Sequence, residues 1–287
     1  MSRVRTGWRL AKDSWAVLRA DRSLAIFPAL STAFATGALA LTLTPGLVWS
    51  AAADQDWIVA PFLAVGAYVT TFFVVYFNVA LAGATRLSME GRDTTVADGL
   101  AVARQRRGLI AKWALLQFAV GALVNAVQQL AGDSVAGRLA AGLFGLAGAA
   151  WSVATFFVIP LLALEGLGPG AAMKRSAGLI RKRWGEGLVG SAAIGLAVFL
   201  VAALPVAGLL NLALQMIDID RTVGAGFLVL AIVAAIAACA MGSALGVIFR
   251  VELYRYSTEG QATGGFARKD MVAAFGPPTR ARPGGRA

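Results

Sequence analysis

The stretch that decides the fold is AMKRSAGLIRKRWGEGLVG, residues 172–190. At helical spacing it has an apolar face and an opposite arc of Lys and Arg side chains. A helix of this kind lies on a membrane surface, with its cations at the level of the lipid headgroups. An uncharged stretch follows, so the sequence predicts a surface helix over 170–184 that leads into a membrane span. The predicted apolar face consists of Met173, Ala177, Ile180 and Trp184.

The whole chain is too apolar for a soluble domain. Hydrophobic residues make up 58% of its 287 residues and charged residues only 14%, whereas about a quarter of the residues in soluble domains are charged. Six uncharged windows each reach the ~20 residues that a helix needs to cross the bilayer. The sequence therefore predicts an all-α integral membrane protein with six transmembrane helices, at about residues 24–45, 58–85, 110–131, 139–163, 187–212 and 223–249.

The pattern of a basic amphipathic segment before a pair of spans occurs three times, since residues 4–22 and 95–107 resemble 170–184. Residues 95–98 (TVAD) have the pattern of a capping box that begins the second of these helices. We therefore predict three hairpins, each preceded by a basic amphipathic helix at the cytoplasmic face. The predicted membrane domain covers residues 1–257, and the tail 258–287, rich in Gly, Pro and Arg, is predicted to be mostly disordered.

An apolar pair followed by arginine precedes a span at residues 17–19, 102–104 and 179–181. This recurrence reflects either a true three-fold repeat or the basic, amphipathic character common to cytoplasmic loops, and the sequence does not decide between them.

The placement of the basic residues predicts the orientation. All of the 26 Lys and Arg except Arg138 and Arg221 lie on one side of the predicted spans. By the positive-inside rule both termini are cytoplasmic, and the predicted location is the cell (inner) membrane. Anionic lipid headgroups are then the expected partners of the basic helices. The residues predicted to contact these headgroups are Arg19, Arg104, Arg106, Arg107, Lys174, Arg175, Arg181 and Lys182.

Short motifs spread along the chain resemble those of a known group. They include Gly7-Trp8-Arg9-Leu10, Asp21-Arg22-Ser23-Leu24, Lys174-Arg175-Ser176 and Tyr254-Arg255-Tyr256. With these motifs, residues 6–257 resemble a family of multispanning bacterial and archaeal membrane proteins known only as a domain of unknown function. The resemblance implies six spans, and it brings no activity, ligand or catalytic residue.

Polar chemistry within the windows is sparse. Buried charge is the usual mark of proton relays and ion pathways, and its absence from all six windows argues against a proton-coupled pump or a charged-ring channel. Asn78 and Gln117 lie at similar depths in the second and third windows. They are expected either to hydrogen-bond to each other or, together with Glu165, to line a polar cavity open to the cytoplasm.

Composition argues against an enzyme. The chain has no histidine and a single cysteine, Cys239, so we find no nucleophile with an adjacent base and no set of metal ligands. We therefore predict no enzyme activity, metal or cofactor. The net charge of +11 is compatible with nucleic-acid binding, but the apolar content leaves little soluble domain to carry such a site, and no nucleic-acid partner is predicted.

The predicted function is an inner-membrane protein that organises lipid, or an unidentified membrane or cytoplasmic protein, at the cytoplasmic face. The alternative is a permease-like protein for a small neutral or lipidic substrate. Prolines that break helices near the membrane midplane would support the alternative. Pro28, Pro160 and Pro205 are the candidates, and Pro205 lies nearest the middle of its window.

Overall fold

The structure is a computed structural model that describes residues 12–19, 21–131, 135–183, 188–217 and 219–259, and every regular element in these ranges is helical. A 3₁₀ turn at Asp56–Ile58 precedes the third helix, and a π-helix at Leu161–Glu165 follows the seventh. In chain order the helices are α1 (residues 12–19), α2 (Arg22–Ala53), α3 (Val59–Met89), α4 (Val96–Gln105), α5 (Arg107–Ala131), α6 (Val135–Ala154), α7 (Val158–Pro160), α8 (Pro169–Arg183), α9 (Leu188–Ile217) and α10 (Arg221–Glu259).

Within the described ranges, five helical segments are long and apolar enough to cross a membrane. Large apolar side chains are exposed along them, such as Leu41 (79% exposed) and Leu130 (87%), and apolar surface of this extent marks contact with lipid. These features indicate a multi-pass membrane protein. The five segments are Ser23–Ala53, Asp56–Met89, Arg107–Leu130, Phe144–Glu165 and Arg221–Glu259.

The predicted span over 187–212 falls in α9. This helix runs from Leu188 to Ile217, and Ala203–Ile217 is the apolar stretch described within it. A sixth span therefore stays a prediction. Pro205 was a candidate for a helix break near the middle of its window. It lies inside α9 without ending the helix.

The chain forms two compact units. Unit 1 consists of Met1–Ala29, Thr85–Asp93 and Arg183–Ala287, and unit 2 consists of Leu30–Ala84 and Thr94–Lys182.

In unit 2, α2 and α3 approach closely where one helix has a small residue. A Cβ on Gly46 would lie 2.8 Å from the Phe62 side chain, and Thr70 Oγ1 donates a hydrogen bond of 3.2 Å to the carbonyl of Ala35. Small residues allow membrane helices to pack at such short distances. The first span was predicted to end at residue 45. The helix that contains it, α2, continues to Ala53.

The second predicted surface helix is present as α4. Thr95 Oγ1 accepts a hydrogen bond from the Asp98 N–H at 3.3 Å, and the Thr95 N–H donates to Asp98 Oδ2 at 2.9 Å. This pair confirms the predicted capping box. The helix packs on α3, because a Cβ on Gly83 would lie 2.9 Å from the Val102 side chain.

In unit 1, α9 and α10 pack against each other. Asp220 caps α10, since its Oδ1 accepts hydrogen bonds from the N–H groups of Thr222 (2.8 Å) and Val223 (3.2 Å). Gly224 is buried, and a Cβ there would lie 2.6 Å from the Cα of Ile217. A glycine is therefore required for the close approach of the two helices.

The last turns of α10 are buried on every side. Residues 251–257 are all buried, among them Glu252 (0% exposed) and Arg255 (6%). With 39 residues, α10 is ~58 Å long at 1.5 Å per residue, about twice the ~30 Å hydrocarbon thickness. The helix therefore extends well beyond the span predicted to end at residue 249.

Candidate functional site

The fourth of the five apolar segments, Phe144–Glu165, lies in unit 2 and is interrupted between α6 and α7. Residues 155–157 form a turn in which the Phe156 N–H donates to the carbonyl of Val153 (3.1 Å) and the Val158 N–H donates to that of Thr155 (3.0 Å). Pro160, three residues after the turn, has no N–H. Backbone groups of a membrane helix must be satisfied within the protein, so the irregular segment needs outside partners.

Ser176 of α8 supplies one such partner. The Phe157 N–H donates to Ser176 Oγ at 3.1 Å, and both residues are fully buried at 0% exposed. A hydroxyl from the predicted surface helix thus accepts a hydrogen bond from a backbone N–H at the interruption. As a result, α8 is joined to the apolar segment by a hydrogen bond that lipid cannot replace.

α8 buries one face against protein. Ala172 and Ser176 are 0% exposed and Ile180 is 6% exposed, whereas Ala177 is exposed and Met173 is half-buried. Exposure of this kind is compatible with contact to lipid, so the assignment of Ala177 to the lipid-facing apolar face stays a prediction. Trp184, the fourth predicted member of that face, lies outside the described residues.

The π-helix before α8 ends at Gly166, which has a φ of 65°. The carbonyl of Leu161 accepts hydrogen bonds from the N–H groups of Gly166 and Leu167, the second at 3.4 Å. A Cβ on Gly166 would overlap the guanidinium of Arg106, which lies directly against this glycine. A cation is favourable at the C-terminal end of a helix, where carbonyl groups point outward. Arg106 is thus half-buried and engaged with protein.

Glu165 and Arg175 form an ion pair next to this corner. Arg175 Nε lies 3.7 Å from Glu165 Oε1, and the side chains are 51% and 27% exposed, respectively. An exposed ion pair of this length contributes little to stability, about 0–1 kcal/mol. Lys174 is also exposed, and it has no ion-pair partner among the residues that the structure describes.

A groove of ≈ 480 Å³ runs along α8 beside these charges. Leu167, Ala171 and Leu179 give it an apolar lining, and Lys174 and Arg175 bring two cations to the same groove. We call this feature the α8 groove. Its complete lining is Glu165, Leu167, Ala171, Lys174, Arg175, Gly178 and Leu179.

The other predicted lipid-contact residues lie outside the groove. Four of them are exposed and make no ion pair within the described part of the chain: Arg19, Arg104, Arg107 and Arg181. Lys182 lies in the last turn of α8. The structure therefore leaves four arginines on α1, α4, α5 and α8 with their charges turned toward the surroundings.

Of the three residues predicted to line a polar cavity, Glu165 lies at the α8 groove. Asn78 and Gln117 are half-buried on α3 and α5, and they are not part of the groove lining. The hypothesis that these three residues share a cavity stays a prediction.

A second group of charges lies in unit 1. Arg86 Nε donates to Glu90 Oε1 at 2.9 Å, and Arg255 Nε donates to Glu259 Oε2 at 3.3 Å. The hydrogen bond from Arg86 lowers the pKa of Glu90, and desolvation opposes this effect only in part. The attraction of Arg255 lowers the same pKa further, so these charges influence one another across the two chain segments.

Sequence reasoning missed the residues that join α8 to the broken segment, namely Phe157, Gly166 and Ser176. Two signals were available: Pro160 inside the fourth window, and the Gly166-Leu167-Gly168-Pro169 run just before α8. Neither signal identifies Ser176, because its partner lies 19 residues away.

One family model matches residues 46–266, most of the chain, and it describes a family of unknown function. This match confirms the predicted resemblance. Comparison with curated proteins and with solved structures finds no match.

Proposed function

This chain belongs to the DUF6159 family of unknown function, and we propose that it is a non-enzymatic, multi-pass protein of the cell (inner) membrane. Its basic surface helices organise anionic lipid, or a partner protein, at the cytoplasmic face. In this proposal both termini are cytoplasmic and six spans form three hairpins, each preceded by a surface helix.

The observation that carries the proposal is the exposure of unpaired arginines on several helices. Arg19, Arg104, Arg107 and Arg181 are exposed and have no ion-pair partner in the described ranges. A cation near an anionic membrane surface contributes about 1 kcal/mol of attraction. The four arginines are therefore available to headgroups without the loss of an ion pair to any residue that the structure describes.

The test measures the lipid that surrounds the full-length protein. The wild type is reconstituted in mixed vesicles of dioleoylphosphatidylcholine and dioleoylphosphatidylglycerol and extracted in styrene–maleic acid discs. We expect the lipid in these discs to be enriched in phosphatidylglycerol relative to the vesicles. The variant with Arg19→Gln, Arg104→Gln, Arg107→Gln and Arg181→Gln should return to the bulk lipid ratio, because each lost charge removes ~1 kcal/mol of attraction.

The matched control replaces the same four arginines with lysine, which preserves charge and should preserve enrichment. High salt should reduce the enrichment of the wild type through screening. Equal enrichment in the wild type and the four-glutamine variant would contradict the proposal.

The interrupted segment at residues 155–157 favours a second candidate, a permease-like protein for a small neutral or lipidic substrate. Transporters often place their sites at discontinuous membrane helices, and the π-helix after this break is a further irregularity typical of functional sites. A small molecule that co-purifies stoichiometrically, persists in the four-glutamine variant and disappears with Asn78→Leu would favour this candidate over lipid organisation.

A further inference from the structure

We propose that the α8 groove is a binding site for one anionic glycerophospholipid, with an acyl chain on its apolar lining and the headgroup phosphate between Lys174 and Arg175. This inference rests on the proposed function. It adds a stoichiometric site to what would otherwise be a general attraction between basic helices and the bilayer.

The lining of the groove matches the two parts of such a lipid. Leu167, Ala171 and Leu179 offer aliphatic surface, which suits an acyl chain. Lys174 and Arg175 lie on the same helix within the same groove. Because Lys and Arg both bind phosphate, this combination fits a lipid with an anionic headgroup better than it fits a neutral lipid or a free ion.

In the Glu165–Arg175 ion pair, the Glu165 carboxylate competes with a lipid phosphate for the Arg175 guanidinium. The carboxylate lies 3.7 Å from Arg175 Nε, so a phosphate that approaches this guanidinium replaces an existing anion. This exchange costs little free energy, because the N–O distance of the pair is long and its arginine is half exposed. The neighbouring Lys174 has no ion pair to break within the described residues. Removal of the Glu165 charge should therefore strengthen lipid binding.

The docking of α8 gives the groove a fixed wall. Ala172, Ser176 and Ile180 are buried, and the hydrogen bond from the Phe157 N–H to Ser176 Oγ fixes the rotation of the helix. A preorganised site binds its ligand with less loss of conformational freedom than a mobile helix would.

The experiment blocks the groove without a change of charge. A Cβ on Gly178 has no neighbouring atom within 4 Å, and Gly178 lines the groove, so the ring of Gly178→Phe is expected to occupy the groove. Gly170 lies on the same helix, has the same free space and is not part of the lining, so Gly170→Phe is the matched control. Native mass spectrometry of the full-length protein, with dioleoylphosphatidylglycerol or dioleoylphosphatidylcholine added, counts the retained lipids.

We expect the wild type and Gly170→Phe to retain one phosphatidylglycerol, and Gly178→Phe to retain it about tenfold less. Glu165→Gln should raise this retention about threefold, a gain that damage to the fold would not produce. Equal retention in the two phenylalanine variants, equal retention of the two lipids by the wild type, or no gain in Glu165→Gln would each overturn the proposal.

The failure of this inference is distinguishable from the failure of the proposed function. The four arginines replaced in the enrichment test lie outside the groove lining. If enrichment depends on those arginines while Gly178→Phe has no effect, general attraction stands and the specific site does not. If the single lipid is lost in Gly178→Phe but the four-glutamine variant keeps its enrichment, the site stands and the general attraction does not.

Discussion

Replacement of Ser176 by alanine is expected to destabilise the protein by roughly 1–3 kcal/mol, the cost of a buried polar group left without a partner. The lost partner is the N–H of Phe157, which donates to Ser176 Oγ at 3.1 Å from a position that is 0% exposed. A backbone N–H within an apolar segment must be satisfied inside the protein, so loss of this hydroxyl is costly. The free energy of unfolding in mixed SDS micelles, followed by tryptophan fluorescence, measures the loss.

Ser152→Ala is the matched control. Ser152 is exposed, and its Oγ donates to the carbonyl of Gly148 one turn earlier in α6, so its loss leaves no backbone N–H unpaired. We expect a change within about 0.5 kcal/mol, as for most surface substitutions. Equal stability of Ser176→Ala and Ser152→Ala would mean that α8 does not support the broken segment.

The second large effect is expected from Gly166→Ala. A φ of 65° is left-handed, and an L-residue with a side chain pays about 1–2 kcal/mol there. The new methyl group would also overlap the guanidinium of Arg106, so this cation must leave the end of the π-helix. We expect a total loss of roughly 2 kcal/mol in the free energy of unfolding, measured in the same way.

Gly168→Ala separates this effect from a general intolerance of the turn. Gly168 lies two residues further along, and a Cβ there meets no atom within 4 Å. Because its φ is not left-handed, alanine should be tolerated or slightly stabilising. If Gly166→Ala were as stable as Gly168→Ala, Arg106 would not be seated against the π-helix as described.

Much of the helical architecture was predictable because its signals are local. A window of apolar residues long enough for a bilayer crossing appears in the sequence whatever surrounds it, and five such segments are present in the described residues. The capping box at Thr95 and Asp98 was predictable for the same reason, since both partners lie within one helical turn.

The orientation of α8 was not predictable from periodicity. A helical wheel ranks faces by how apolar they are, and Ser176 is polar. Its Oγ accepts a hydrogen bond from the N–H of Phe157, which lies 19 residues away at the turn between α6 and α7. A tertiary hydrogen bond thus determines which face of α8 is buried against protein.

The position of the break could not be read from proline alone. Pro205 lies within a continuous helix, and the interruption occurs just before Pro160. Prolines are tolerated in membrane helices when neighbouring groups satisfy the freed backbone. The position of a proline within its apolar window therefore does not predict where the helix breaks.

The buried charges at the end of α10 were missed for a similar reason. The hydropathy window ends at the first charge, Arg250, so the predicted span stops at residue 249. Glu252 and Arg255 are nevertheless buried. Their burial depends on contacts with segments distant in sequence, which a window of neighbouring residues does not contain.

The measurement that tests the account most directly is the side of the membrane on which α8 lies, because lipid organisation at the cytoplasmic face depends on it. Cys239 is the only cysteine of the chain, so Cys239→Ser gives a background for single-cysteine labelling. Arg181→Cys reports on α8 and Ala52→Cys on the end of α2, and both positions are exposed. With a membrane-impermeant maleimide, the account predicts that intact cells label Ala52→Cys and that only inverted membrane vesicles label Arg181→Cys. Labelling of Arg181→Cys in intact cells would contradict it.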